Sequence, residues 1–143
     1  ACWRGSPGYA APEICARRPY GGKVDIFSAG VVLYFVLARK QPFMGLDQVS
    51  TMRATLQCQV NFARCISFDC VSEETKECIR LLMQKAAVDR PSADAALTVV
   101  QELLDEGAVS NRLKNVGRDF RSWTPDDLDS TGSASFAEET FRK

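Results

Sequence analysis

The side chains that could do chemistry are few, and their types set the first limits. The sequence has no histidine, which removes the commonest general base and metal ligand at neutral pH. Its six cysteines are Cys2, Cys15, Cys58, Cys65, Cys70 and Cys78. None forms a C-x-x-C pair, and without histidine they argue against a zinc site. They read as reduced, mostly buried thiols of an intracellular protein, with a disulfide framework as the alternative. Asp25 heads a long apolar run, where its negative charge suits the orphan amides at a helix start. Gly5, Ser6, Pro7, Gly8 and Tyr9 have the chemistry of a Gly/Pro turn. Formal net charge is zero, so nothing global points to nucleic acid or to an anionic membrane surface.

These groups need elements to hold them. A chain of 143 residues, 45% hydrophobic, fits one ordinary domain with a real core. Residues 1–22 are punctuated by Gly5, Pro7, Gly8, Pro12, Pro19, Gly21 and Gly22, which is loop chemistry with one short helical turn at most. The run from Ile26 to Ala38 is almost wholly apolar and too short for a bilayer span of about 20 residues. Val31, Val32, Tyr34, Phe35 and Val36 favour strand, but the run is longer than an ordinary strand and apolar all round, which favours a buried helix. A second helix is predicted over Gln48 to Leu56, after the turn residues Pro42, Gly45 and Asp47. Ser72 can cap a third, with Glu73 and Glu74 in its first turn and Cys78, Ile79, Leu82 and Met83 on one face. Between them, Gln59 to Cys70 reads as irregular. A last helix starts near Pro91 and Ser92, carries Ala96, Val99, Val100, Leu103 and Leu104 as its stripe, and ends near Gly107. Beyond Gly107 polar and small residues dominate; Thr124-Pro125-Asp126-Asp127 reads as a helix start, and the last part of the tail as poorly ordered.

Three motifs occur in order. Gly5-Ser6-Pro7-Gly8-Tyr9-Ala10-Ala11-Pro12-Glu13 resembles the protein kinase segment that closes the activation loop with Ala-Pro-Glu. Lys23-Val24-Asp25-Ile26-Phe27-Ser28-Ala29-Gly30-Val31, running on to Gln41-Pro42-Phe43, is similar to the Asp-x-x-Ser-x-Gly start of that family's central helix. Asp89-Arg90-Pro91-Ser92 resembles its late Arg-Pro-Ser/Thr. The resemblance covers roughly residues 2 to 105 and implies a mainly α, truncated, kinase-like helical lobe, in which 1–106 is a partial kinase domain and 107–143 a tail, linker or regulatory segment. It further implies that Glu13 and Arg90 form a buried ion pair tethering the activation segment. Asp25 would hold backbone amides of a catalytic loop not on this chain; read by itself, it is a simple N-cap carboxylate. Gly5-Ser6 is the serine/threonine-kinase pattern, so Ser6 would hydrogen-bond the catalytic aspartate and lysine of that loop, and Pro7 to Tyr9 would shape the pocket for the residue after the phosphoacceptor. The sequence departs from the pattern where Cys2-Trp3-Arg4-Gly5 inserts two residues, where Phe27 replaces the usual Trp, and where Ala86-Ala87 replaces Asp-Pro.

The motifs that grip ATP and magnesium are missing: no Gly-rich loop, no Val-Ala-x-Lys strand, no His-Arg-Asp, no Asp-Phe-Gly. Asp119-Phe120-Arg121 lacks the glycine and lies too late. The resemblance therefore implies a parent serine/threonine kinase that uses ATP and Mg and phosphorylates protein Ser/Thr, and a fragment with no catalytic, cofactor or metal residue of its own. The chain starts Ala-Cys-Trp-Arg without Met or signal peptide, which reads as a piece whose true start lies upstream. Its expected partners are protein substrates and the missing N-lobe and early helical lobe, with no nucleic acid and no membrane, in the cytoplasm. Without those earlier helices, part of the central helix should be left exposed. A pseudokinase or scaffold module and an unrelated helical domain are the other readings. In the tail, Leu113, Val116, Phe120 and Trp123 recur among Arg112, Lys114, Arg118 and Arg121, so 108–124 is a candidate calmodulin target or autoinhibitory helix; a solvated linker is the plainer alternative.

Overall fold

The computed structural model describes residues 6–63 and 65–105, and they contain helices and turns with no strand. The order is α1 (Pro12–Cys15), α2 (Lys23–Ala38), α3 (Gln48–Gln57), α4 (Glu73–Leu82) and α5 (Ala93–Asp105), with 3-10 turns at Pro7–Tyr9, Ile66–Phe68 and Ala87–Asp89. Gly5 and the tail from 106 lie outside the described residues, as do the expected Gly107 stop and the 108–124 segment.

The apolar run is a helix, and it begins at Lys23, a turn earlier than the run itself. Strand propensity yields to burial: Phe27, Val31, Tyr34, Leu37 and Ala38 recur at helical spacing on the buried side. Fully burying one such large side chain stabilises by about 1.5–3 kcal/mol. Tyr34 packs on Phe62 and Phe68, with ring centroids 5.7 and 4.8 Å away, and its hydroxyl donates to the Asn61 carbonyl at 2.9 Å. α2 ends where Arg39 turns left-handed (φ 55°) and returns its N–H to the Phe35 carbonyl. Burial is one-sided all the same. Asp25, Ala29 and Val32 form an exposed stripe, Val32 at 47%.

α4 crosses α2 at Gly30. A Cβ there would stand 2.7 Å from Met83 Cγ and 2.9 Å from Leu82 Cβ, so only the missing side chain permits this approach. Ser72 caps α4 by accepting from the Thr75 amide at 3.3 Å, and Cys78, Ile79 and Leu82 face inward as their spacing predicts. α3 is held by a reciprocal cap. Asp47 accepts from the Ser50 amide at 2.6 Å while Ser50 Oγ accepts from the Asp47 amide at 3.0 Å. α3 buries two threonines, Thr51 and Thr55, and leaves Val49 exposed. In α5, Ser92 Oγ accepts from the Ala95 amide. Of its expected stripe, Ala96 and Leu103 are buried, Val99 and Val100 half-buried, and Leu104 exposed. The stripe is narrower than its sequence because α5 finds partners, α4 and α2, on one side.

Candidate functional site

Arg90 follows the 3-10 turn Ala87–Asp89, in extended backbone just before α5, and is 2% exposed. A guanidinium carries five N–H donors, and here each has an acceptor. Nε donates to the Gln84 carbonyl at 2.7 Å. Nη1 donates to Glu13 Oε1 at 2.6 Å and to the Lys23 carbonyl at 3.0 Å. Nη2 donates to Glu13 Oε2 at 2.8 Å and to the Lys85 carbonyl at 3.1 Å. The pair with Glu13 is thus bidentate, the geometry that carboxylate and guanidinium share. Lys23 Nζ closes the circuit by donating to the Arg90 carbonyl. Beneath it all lies Phe27, whose ring centre is 4.9 Å from the guanidinium carbon and which stacks on Phe43 at 5.8 Å.

Glu13 reaches this position because Pro12 starts α1 at the favoured first turn and sets the carboxylate one residue in. Its side chain is 13% exposed. The Arg90 hydrogen bonds hold its carboxyl below the ordinary glutamate value, against the opposing effect of burial. The structure therefore brings Glu13 and Arg90 together from opposite ends of the helical region.

The segment before α1 is fixed more lightly. Pro7–Tyr9 is a single 3-10 turn closed by the Tyr9 amide on the Ser6 carbonyl at 3.1 Å. Ser6 is exposed and its side chain makes no capping bond. Gly8 is buried because the Gln41 amide occupies the place a Cβ would take, 1.8 Å from Gln41 Oε1. Ser28 Oγ, on α2, stands 2.9 Å from the Tyr9 carbonyl and 3.0 Å from that of Val24. One hydroxyl thereby anchors the turn to the central helix.

Asp25 is not a cap. Gly22 holds the N-cap position of α2, and Asp25 sits in the first turn, exposed, with no hydrogen-bond partner for its carboxylate among the described residues. Its charge still lies where a helix start favours it. Gly5 lies outside the described residues. Sequence reading missed Lys23, Phe27, Ser28 and Gln41 as supports, and Gln84 and Lys85, which act through backbone carbonyls and leave no side-chain signal. Phe27 had a signal: an aromatic two residues after Asp25, where the resembled family has another.

Among the described residues, the buried thiols are disfavoured as nucleophiles. Burial pushes Cys15 and Cys78 up, and Cys58 up to about 11, its Sγ lying 3.2 Å from the Met83 carbonyl. Cys70 is exposed. Among the described residues no cluster of His, Cys, Asp or Glu has the make-up to hold a metal ion, and no helix is long and apolar enough to cross a membrane.

A family model described as a protein kinase domain matches residues 2–101. A probable serine/threonine-protein kinase 2 of Plasmodium falciparum is 40% identical over 93 residues, covering 65% of this chain and 18% of that protein. A calcium/calmodulin-dependent protein kinase type 1 of Macrobrachium nipponense is 38% identical over 79 residues, covering 55% and 23%. Among solved structures, the twitchin kinase region of C. elegans superposes with a TM-score of 0.61 at 32% identity, over 64% of this chain and 16% of that one. The chain thus spans roughly a fifth of the length of the curated relatives it matches.

Proposed function

We propose that this chain, which belongs to the protein kinase domain family, forms the end of the activation segment, the substrate-docking platform and the helical-lobe core of a serine/threonine kinase. Two of the relatives that match it, from Plasmodium falciparum and Pinctada fucata, are named as serine/threonine-protein kinases. The observation that carries the reading is the bidentate Glu13–Arg90 pair. It ties the segment that holds Ser6 to the central helix and to the start of α5, so the docking turn is fixed to the lobe rather than left as a free loop.

In this reading Ser6, exposed and without a capping bond, hydrogen-bonds the catalytic aspartate and lysine of a loop supplied by other residues. Gly5 and Pro7 to Tyr9 shape the pocket for the residue after the phosphoacceptor, on protein substrates. Asp25, free at the helix start, takes the backbone amides of that same loop. The parent uses ATP and Mg. The sequence has no Gly-rich phosphate-cradling motif and the described residues offer no metal-ligating cluster, so neither group is fitted here and no step of the transfer is assigned to this chain. Residues 1–106 are the kinase part and 107–143 a tail, linker or regulatory segment, in which 108–124 is the candidate calmodulin target or autoinhibitory helix. The protein acts in the cytoplasm.

The test is a phosphorylation assay on a protein joining this chain to the residues encoded upstream of Ala1. Incorporation of phosphate into a serine peptide, lost in Ser6→Ala and lowered in Glu13→Gln, is the expected result, with the 143-residue chain alone inactive. An upstream region without His-Arg-Asp and Asp-Phe-Gly, and no incorporation, would replace the reading with that of a pseudokinase scaffold. Calcium-dependent binding of calmodulin to a 108–124 peptide tests the tail; no binding at about micromolar peptide ends that part.

A further inference from the structure

A cleft of about 660 Å³ opens beside the Arg90 cluster and takes in none of Ser6, Pro7, Gly8 or Tyr9. Its walls are α1, the loop that follows it, the 85–88 loop and the end of α3. Arg18, Lys23 and Lys85 supply three positive charges; the single carboxylate, Glu13, is already spent on Arg90. Among the described residues, the Arg18 and Lys85 side chains have no ion-pair partner. The apolar lining is also open to water: Val88 is 87% exposed, Tyr20 65%, and Leu56 borders it.

Three features decide what such a cleft would take. Its charge is of one sign, so its occupant carries carboxylates or a similar anion. A small free anion would leave Tyr20 and Val88 wet, so the occupant brings apolar side chains as well. The walls are preorganised, because Arg90 grips the backbone of Lys23, Gln84 and Lys85 and the side chain of Glu13. Little ordering is then lost on binding. Nucleic acid would need a broader cationic surface than three side chains on a chain of zero net charge.

We infer that this cleft is a docking site for a short acidic peptide segment of a partner protein, with apolar side chains seated on Tyr20, Val88 and Leu56 and carboxylates on Arg18, Lys23 and Lys85. The site works apart from phosphoryl transfer, so the fate of one reading leaves the other standing.

The probe is a short fluorescein-labelled peptide alternating phenylalanine with aspartate, titrated with the whole chain and followed by anisotropy. Control peptides carry lysine for aspartate, or serine for phenylalanine. The aspartate–phenylalanine peptide should bind, and both controls should bind at least about tenfold more weakly. Joint Arg18→Glu and Lys85→Glu should weaken binding about tenfold or more, because like charges then face each other. Val88→Asp should do the same from the apolar side, while Lys40→Glu, remote from the cleft, should leave it unchanged. Far-UV circular dichroism checks that each variant is folded. Should the double reversal fail to fold, Val88→Asp decides alone. Equal binding of the lysine peptide, unchanged binding in the folded variants, no binding up to about 1 mM, or preference for a single-stranded oligonucleotide would each overturn the inference.

Discussion

Removing one partner of the Glu13–Arg90 pair is the sharpest perturbation this structure offers. Glu13→Ala leaves a guanidinium that is 0% exposed with its three backbone acceptors and no counter-charge. Breaking a buried pair from one side costs about 3–5 kcal/mol. The glutamate keeps slight access to water, which places the cost at the lower end, about 3 kcal/mol. Arg90→Ala should cost more. It strands a mostly covered carboxylate and also orphans the carbonyls of Lys23, Gln84 and Lys85, at about 1–3 kcal/mol for each that water does not reach. The second mutation then removes a group that has already lost its partner. The double variant should therefore fall short of the sum by about 1–3 kcal/mol. Urea unfolding followed at the helix band of circular dichroism measures all four corners. A domain of ordinary stability has only about 5–15 kcal/mol in hand, so Glu13→Gln and Arg90→Lys provide a milder cycle where the alanines unfold. Single effects below about 0.5 kcal/mol that simply add would refute the reasoning.

Three further outcomes are expected. Because the Glu13 pKa is lowered in the folded state, its contribution is fully present above the ordinary value of 4.5 and lost as pH falls through the folded value; the gap between wild type and Glu13→Gln should therefore close below about pH 4.5 in a urea–pH series. Gly30→Ala should destabilise by about 1–3 kcal/mol, since Leu82 Cβ sits on a helix and cannot swing aside, whereas Gly8→Ala should cost far less because the Gln41 side chain can move. Iodoacetamide at pH 8 should label Cys70 ahead of Cys15, Cys58 and Cys78, which stay protected until denaturant is added, read by mass spectrometry.

The legible parts of the sequence were those with a local cause. α2 followed from the length and all-round apolarity of its run, and α4 from Ser72 and its periodic face, because cap and period act within a few residues. The plain alternative for Asp25, a simple cap, rests on the same local logic. Backbone geometry instead gave that post to Gly22, because the helix starts two residues before the aspartate. The Asp47–Ser50 cap was missed because its third position is serine rather than the glutamate of the usual signature. Leu104 was placed in a buried stripe by its period, but a period says which face a residue shares and not whether a neighbour covers that face. The pairing of Glu13 with Arg90 was readable only through the resemblance. Residues that distant leave no mark in propensity, and the carbonyls of Gln84 and Lys85 have no side chain to announce them.

The Arg90 cluster also has a kinetic consequence. Glu13 and Arg90 are 77 residues apart, so the pair is a clasp that closes most of the helical chain into one loop. The entropy of closing a loop grows only slowly with its length, but it must be met before the contact returns anything. Local helices such as α2 and α4 can form first, and the clasp shuts late. A contact absent from the transition state governs how fast a fold comes apart rather than how fast it forms. Loss of the clasp should then leave refolding nearly unchanged and shorten the lifetime of the native chain, so that Arg90 acts as a latch on persistence in time.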